Sequence, residues 1–463
     1  MEEKINEIID TLIELLEQKK FSQLKALINE MMPADLALLF EELDNKDAVI
    51  VFRLLSKELS AETFAYLDTD RQQMLIQAIS DKELHEVLDQ LFLDDTVDII
   101  EEMPANVVSR ILNNTDTETR RQINELLKYP EDSAGSIMTV EYVNFPKTIT
   151  VREAIEKLRR DGINKETVYT CYVTENRRLI GLVEVSTILA SPDEQIIENI
   201  METNVISVST HEDKEVVARM INKYDFYALP VVDNENRLVG IVTIDDAVDV
   251  IQEENTEDIS RMAAMEPIEE NYFKTSVLSH AKKRIVWLLI LMVSATITGI
   301  VLQYYENAIS AVPILVSCIP MLMDTGGNSG SQSSTMMIRG LALDEIHFSD
   351  IFRVIFKEFR ISLIVSTALA ATNFVRILLM DKIGILGDTS GYPVPLIAAI
   401  VSFSLLLIVI IAKFIGCTLP LLANKAGLDP ALMASPLITT LVDACAVVLY
   451  FKIATSVLHI SLL

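Results

Sequence analysis

The sequence predicts a multidomain membrane protein. An α-helical superhelical N-terminal domain comes first, then an α/β repeat module, a connector helix and a five-span α-helical membrane domain. Three observations predict this order. Charge is segregated: from Arg284 onward there are ten Lys/Arg and ten Asp/Glu, so the first 283 residues hold 29 basic and 57 acidic residues and the whole formal charge of −28. A repeat of roughly 60 residues occupies the middle of the chain. Long apolar runs fill the C-terminal part, and the 463 residues suffice for about three domains.

The acidic excess argues against a nucleic-acid partner, which requires basic stripes. Such a surface repels itself, and cations relieve the repulsion. Cys171, Cys318, Cys417 and Cys445 form no close-spaced pair, so neither a zinc site nor a disulfide framework is expected. Residues 1–17 are acidic and amphipathic, unlike a signal peptide, so the N-terminal part is expected to stay in the cytoplasm.

Residues 1–130 read as short amphipathic helices, with apolar positions such as Ile5, Ile8, Ile9, Leu12, Leu15 and Leu16. Met32-Pro33-Ala34-Asp35 returns as Met103-Pro104-Ala105-Asn106, each a proline-led helix start. Stacked helix pairs would build a small superhelix. Carboxylates crowd its later part at Asp94, Asp95, Asp98, Glu101 and Glu102. Asp94 and Asp98, four apart, share a helix face, where like charges mildly destabilise unless a cation or a basic partner meets them; a solvated acidic face is the plainer alternative.

Residues 131–252 hold the repeat, in copies at about 137–198 and 200–252. Ile137-Met138-Thr139 returns as Ile200-Met201-Glu202, and Arg178-Leu179-Ile180-Gly181 returns as Arg237-Leu238-Val239-Gly240. Each copy reads as a short strand, a helix, a hairpin with a polar turn and a second helix. This pattern resembles a tandem CBS pair, a Bateman module. The resemblance implies an adenine-nucleotide site such as one for ATP, with Thr243 and Asp246 where ribose ligands commonly stand. The first copy departs from it with Val185-Ser186-Thr187.

Residues 253–283 read as a polar connector helix that ends in Lys282-Lys283 next to Arg284, a cluster expected on the cytoplasmic side. The membrane domain, 284–463, has candidate spans at about 285–303, 308–342, 361–380, 394–416 and 431–451, each long enough for a ~30 Å hydrocarbon core. Arg339, Arg353, Lys357 and Arg360 lie between the second and third spans, which agrees with a cytoplasmic N-terminus and, after five spans, an external C-terminus.

The second span is unusual. Within 313–340, residues 324–332 contain no apolar side chain and include Asp324, Gly326, Gly327, Asn328 and Gly330. The helix is expected to break there, because glycine tolerates backbone angles that turn carbonyls toward a wet cavity. Broken helices are where transporters hold ions; a re-entrant kink or a loop between short helices is the plainer alternative. The last span carries Asp443 at mid-membrane, where a carboxylate costs roughly 2.5–3.5 kcal/mol on insertion scales and is functional by default. Thr439 and Thr440 share its face. The inert alternative pairs Asp443 with Arg376 or Lys413. Asn373 lines a cavity or bonds a neighbouring helix.

Together these features closely resemble the MgtE family of magnesium channels and transporters along essentially the whole chain. The most specific matches are Tyr129-Pro130-Glu131-Asp132-Ser133-Ala134-Gly135, residues 326–332, and Asp429-Pro430-Ala431-Leu432 leading to Asp443. The resemblance implies a homodimer in the bilayer of a bacterial cell, its pore on the two-fold axis. Asp443 of both subunits and backbone carbonyls of 326–330 would hold a largely hydrated Mg²⁺, which sheds water reluctantly. Ser435 stands where the family often has Asn. The resemblance also implies cytosolic Mg²⁺ bound by Glu62, Asp94, Asp98, Glu215, Asp225, Asp246, Asp249, Glu254, Glu257 and Asp258, closing the pore at high internal Mg²⁺. Rival readings are transport of Mn²⁺ or Co²⁺, cation-coupled exchange, or a membrane-anchored nucleotide sensor. Asp324 and Asp443 form the only acid pair suggestive of hydrolysis, and no His or nucleophile accompanies them, so no enzyme is expected.

Overall fold

The computed structural model describes residues 2–268, 272, 273, 275–433 and 435–460. The chain divides into two compact units, Met1–Ile251 and Gln252–Leu463.

Among the described residues the first unit opens with ten helices: α1 (Glu2–Glu17), α2 (Phe21–Ile28), α3 (Pro33–Glu42), α4 (Asn45–Phe52), α5 (Lys57–Ala65), α6 (Thr69–Ala78), α7 (Asp81–Leu88), α8 (Leu93–Glu102), α9 (Ala105–Asn114) and α10 (Thr117–Leu126). Their starts are written locally. Asp44, Ser56, Asp68 and Asp116 accept hydrogen bonds from the first turns of α4, α5, α6 and α10. Ser80 and Glu83 form a reciprocal capping box at α7. Pro33 opens α3 at its first turn, whereas Pro104 stands one position earlier, as the cap of α9. Alternate helices pack together, α3 on α5, α5 on α7 and α7 on α9, with α4 on α6 and α8 on α10. Leu36, Phe40, Phe64, Leu75 and Ile111 are fully buried in the core between them. Phe52 stacks edge-on against both Phe40 and Phe64, with ring centroids 6.2 and 6.1 Å apart.

The repeat follows as two three-stranded sheets of identical topology. The first copy is β1 (Asn144–Pro146), α11 (Val151–Asp161), β2 (Thr170–Glu175), β3 (Arg178–Glu184) and α12 (Val185–Ala190). The second is β4 (Val208–Ser209), α13 (Lys214–Tyr224), β5 (Ala228–Val232), β6 (Leu238–Thr243) and α14 (Ile244–Met262). In each sheet the first strand pairs parallel with the second, and the second antiparallel with the third. Asn176 and Arg177 both take positive φ, as a tight hairpin between β2 and β3 requires.

The two copies exchange their leading segments, which explains the repeated motif residues. Thr139 exchanges backbone hydrogen bonds of 2.8 and 2.9 Å with Ile241 of β6, and Glu202 does the same with Leu182 of β3 at 2.8 and 3.0 Å. The crossing segment lies against Gly240 in one case and Gly181 in the other. A Cβ on Gly240 would stand 2.7 Å from the Thr139 carbonyl, and one on Gly181 2.8 Å from the Met201 sulfur.

The connector departs from the expected single helix over 253–283. Its first part is the continuation of α14, which ends at Met262, and a new helix begins only at Val277. The second unit then comprises α15 (Val277–Tyr304), α16 (Glu306–Ala311), α17 (Ile314–Ala342), α18 (Ile351–Ile383), α19 (Val394–Lys425) and α20 (Ser435–Leu458). Among the described residues four helices are long and apolar enough to cross a membrane: α15, α18, α19 and α20, the second and fourth with a short preceding turn. The remaining expected span, the second at about 308–342, corresponds to α17, which is 29 residues long and polar in its middle.

The expected break in that span is absent. α17 runs unbroken through Gly326, Gly327 and Gly330, so their carbonyls serve the helix ladder. The glycines serve close packing instead. A Cβ on Gly330 would lie 2.8 Å from Ile438 and 3.1 Å from the Ala412 carbonyl, and one on Gly416 of α19 would collide with the Gly330 carbonyl. Small residues at such crossings let helix backbones approach within a bilayer. α17 packs on both α19 and α20 through this seam.

Candidate cation sites

Two constellations emerge, one in each unit. In the first unit, α8 carries Asp94, Asp95 and Asp98, and the start of α14 carries Asp245 and Asp246. Glu141 follows the segment that crosses between the repeats, and Glu166 lies between α11 and β2. Backbone contacts fix these two. Glu141 Oε2 accepts from the Leu93 N–H at 3.0 Å, and the Glu166 N–H donates to the Glu141 carbonyl at 3.0 Å.

Asp94, Glu141 and Glu166 each bring one carboxylate oxygen to within 4.8 Å of the other two. Asp94 Oδ1 and Glu166 Oε2 are buried with no hydrogen-bond partner among the described residues. Buried orphan acceptors of this kind are costly unless a cation or a proton meets them. The proton is the alternative ligand, and the cluster is strongly basic for carboxylates. Burial, followed by repulsion from Asp246, Glu166 and Asp95, holds Asp94 well above the usual range. Burial and Asp246 push Asp98 up to about 7. Burial and the charges of Asp245 and Asp246 push Glu166 up to about 8. Asp95 is raised to about 6 by burial and Asp245. Asp246 also rises to about 6 by burial, against a 2.6 Å hydrogen bond from the Thr243 hydroxyl.

Asp94, Asp98 and Asp246, singled out from the sequence, thus come together. Glu141 and Glu166 complete the constellation and were not legible, because neither stands in a periodic or closely spaced acidic motif. Other expected ligands lie elsewhere. Glu62 is exposed on α5, and Asp249 is exposed on α14. Glu215 and Asp225 sit at opposite ends of α13, with Glu215 3.5 Å from Arg219. Glu254, Glu257 and Asp258 belong to the second unit, where Glu257 pairs with Arg261.

In the second unit α17 and α20 line an open cavity of about 420 Å³ whose walls are Pro320, Met323, Asp324, Gly327, Asn328, Thr439 and Asp443. Asp443 is half-buried, while Asp324 and Asn328 are exposed. The Thr439 hydroxyl donates to the Pro436 carbonyl at 2.9 Å, which leaves its oxygen free to accept. Thr440 bonds back to its own helix at 2.8 Å and does not line the cavity. Gly326 and Gly330 likewise lie outside the lining, in the helix seam. Ser435 is the first residue of α20, and its side chain lies outside the described residues.

Neither suggested base neutralises Asp443. Arg376 donates two hydrogen bonds to Asn373, at 3.1 and 2.8 Å, and Asn373 donates to Ser402 at 3.0 Å. Lys413 donates to Ser333 at 3.1 Å and lies 3.9 Å from Glu358. Among the described residues no cation pairs with Asp443. The segment leading into α20 is held from two sides. Ser334 of α17 donates to the Met433 carbonyl at 2.8 Å, and Arg261 at the end of α14 pairs with Asp429. Asp429 also accepts from the Ala431 N–H at 2.7 Å.

Known proteins share this architecture. A family described as "Divalent cation transporter" matches residues 319–453, "MgtE intracellular N domain" matches 31–132, and "CBS domain" matches 134–193 and 197–253. The chain is similar to the magnesium transporter MgtE of Thermus thermophilus, 35% identical over 99% of this chain and 100% of the relative. It is 31% identical to the magnesium transporter MgtE of Bacillus subtilis, over 98% of each. Among solved structures it resembles the cytosolic domain of the Mg²⁺ channel MgtE in complex with ATP, at 36% identity and TM-score 0.50, covering 52% of this chain and 99% of that one. It also resembles the soluble part of a magnesium transporter, at 30% identity and TM-score 0.51, covering 54% and 99%. With relatives matched end to end and family models over the N-terminal helices, the repeat and residues 319–453, the chain belongs to the MgtE family, whose members are transporters rather than enzymes.

Proposed function

We propose that the protein conducts Mg²⁺ across a bacterial cytoplasmic membrane and senses internal Mg²⁺ through its acidic N-terminal unit. The observation that carries the transport reading is Asp443, an unneutralised carboxylate in an apolar helix, sharing a cavity with Asp324, Asn328 and Thr439. Its oxygens, the Asn328 amide and the Thr439 hydroxyl suit the water shell of a hard cation, which Mg²⁺ keeps in octahedral geometry. Holding the hydrated ion through few charges also lets it leave, as conduction requires. In this reading α17 is the second of five spans, the N-terminus is cytoplasmic and the C-terminus external. Two copies bring two Asp443 carboxylates to one axis.

For the sensor, Asp94, Glu141 and Glu166 would hold one Mg²⁺, with Asp98 and Asp246 completing the negative field. Deprotonated carboxylates are the ligands, so affinity rises with pH. Binding shifts the gate only by its preference for one state, here the closed one. A second reading of the same unit is adenine-nucleotide binding, favoured by the ATP complex of the similar cytosolic domain. The Thr243–Asp246 pair would meet the ribose, so nucleotide and cation would both draw on Asp246.

The test is Mg²⁺ uptake into proteoliposomes at low and high internal Mg²⁺, wild type against Asp443→Ala. Flux that requires Asp443 and falls at high internal Mg²⁺ supports both halves. Flux that survives Asp443→Ala refutes this pathway. Competition by Mn²⁺ and Co²⁺ measures selectivity, since hydrated-ion sites discriminate weakly between divalents.

A further inference from the structure

Between α18 and α19 lies a second cavity, of about 560 Å³, that belongs to neither constellation. Its walls are Phe352, Phe356, Phe359, Ile411 and Phe414, all exposed on the surface of the second unit. Its two charged lining residues are satisfied: Glu358 and Lys413 are 3.9 Å apart, and behind them Ser333 of α17 donates to Glu358 at 2.7 Å and accepts from Lys413 at 3.1 Å. The lining therefore presents no net charge. Exposed aromatic walls on a helix long enough to cross a membrane face hydrocarbon more favourably than water.

Beside this cavity α18 carries a row of cations. Arg353, Lys357 and Arg360 follow Phe352, Phe356 and Phe359 one residue later, so a basic stripe runs parallel to the aromatic one. All three are exposed, and none has an acidic partner among the described residues. The Arg360 guanidinium lies 5.9 Å from the Phe356 ring, which ties the two stripes together. Long basic side chains on such a helix carry their charge to the headgroup layer while their stems cover apolar surface.

We propose that this cavity is a docking site for an anionic phospholipid. One acyl chain lies between the aromatic walls, and the phosphate is held by Arg353, Lys357 and Arg360. The proposal rests on reading this unit as membrane-spanning. It commits to a lipid because an aliphatic chain matches the wall and three unpaired cations match an anionic headgroup. The Glu358–Ser333–Lys413 network joins α18 and α19 to α17, so an occupied cavity braces the helix that carries Asp324 and Asn328.

The test uses the full chain stripped of lipid in neutral detergent. It is titrated with phosphatidylglycerol or phosphatidylcholine, and bound lipid is counted by native mass spectrometry. Wild type is expected to retain phosphatidylglycerol in preference to phosphatidylcholine. That preference should weaken by about fivefold for each charge removed in Arg353→Gln, Lys357→Gln and Arg360→Gln, singly and together. Ile411→Trp, which narrows the cavity and leaves the charges intact, should also weaken lipid retention. Equal retention of both lipids overturns the proposal, as does undiminished retention by Ile411→Trp. Competition by glycerophosphoglycerol as effective as by the lipid would mean a free-anion site. Disulfide formation between two copies of Phe356→Cys in the bilayer would mean that a second copy covers the cavity. Either result also overturns it. Lipid retention is read without flux, so a failure of Mg²⁺ transport and a failure of this site are separable.

Discussion

Replacing Asp98 by Asn is expected to stabilise the ion-free N-terminal unit and weaken its response to Mg²⁺. The reasoning runs through the proton. Asp98 is raised from its ordinary value of 3.8 to about 7, by burial first and Asp246 next. At ~1.36 kcal/mol per pH unit, that displacement corresponds to about 4 kcal/mol. The folded state binds the proton more tightly than the unfolded chain. Its contribution to stability is therefore full below the unfolded value, falls as pH rises from about 4 to about 7, and is flat above. Asn carries no such dependence. At pH 8 without divalent cations, the Asp98→Asn segment 1–262 should be more stable than wild type by up to about 4 kcal/mol. The gap should close as pH falls toward the ordinary carboxylate range. Saturating Mg²⁺ should reverse the order, because a ligand that binds only the folded state stabilises in proportion to its affinity. The assay is urea unfolding followed by circular dichroism from pH 4 to 8, with chelator and then with Mg²⁺; the solved relatives of this region are themselves soluble fragments. An unchanged pH slope, or a variant no more stable than wild type at pH 8 in chelator, would refute the argument.

Other outcomes follow from the same geometry. Glu166→Gln should lower the Mg²⁺ affinity of the sensor and reduce proton release on binding between pH 6 and 8, as read by calorimetry in two buffers of different ionisation enthalpy, since Glu166 is raised to about 8. Neutralising Asp94, Asp98 and Asp246 together should give a pore that conducts at high internal Mg²⁺; normal closure in patch recordings would move the sensor elsewhere. Gly416→Ala, whose Cβ meets the Gly330 carbonyl, should part α17 from α19 and lower both the melting temperature of the detergent-solubilised protein and its flux. Phe64→Ala should cost the N-terminal helices ~3–5 kcal/mol in urea unfolding, because the ring is fully buried against Phe52.

Much of this molecule was written locally. Helix starts at Ser80 and Asp116 depend on side chains within three residues of the first turn. The repeat announced two sheets of one topology because the same alternation of apolar residues and polar turns imposes the same strands twice. Asp443 was legible because a carboxylate within a long apolar run is expensive wherever that run ends up. In each case the deciding interaction lies within a few residues or with the bulk solvent.

Three features were decided by contacts that no local pattern encodes. The glycines of α17 read as a break, since glycine weakens a helix in isolation; packing overrode that preference, because Gly330 and Gly416 let two helices approach where any side chain would collide. Lys413 and Arg376 looked available to Asp443, yet the fold commits them to Glu358 with Ser333 and to Asn373. Glu141 and Glu166, from two separate connections, converge on Asp94 only when the repeat module meets α8. Propensity, capping and transfer from water act through neighbours in the chain and could be read from the sequence. Coordination and ion pairing act through space, and only the tertiary structure set which carboxylates share a site and which remain without a cation.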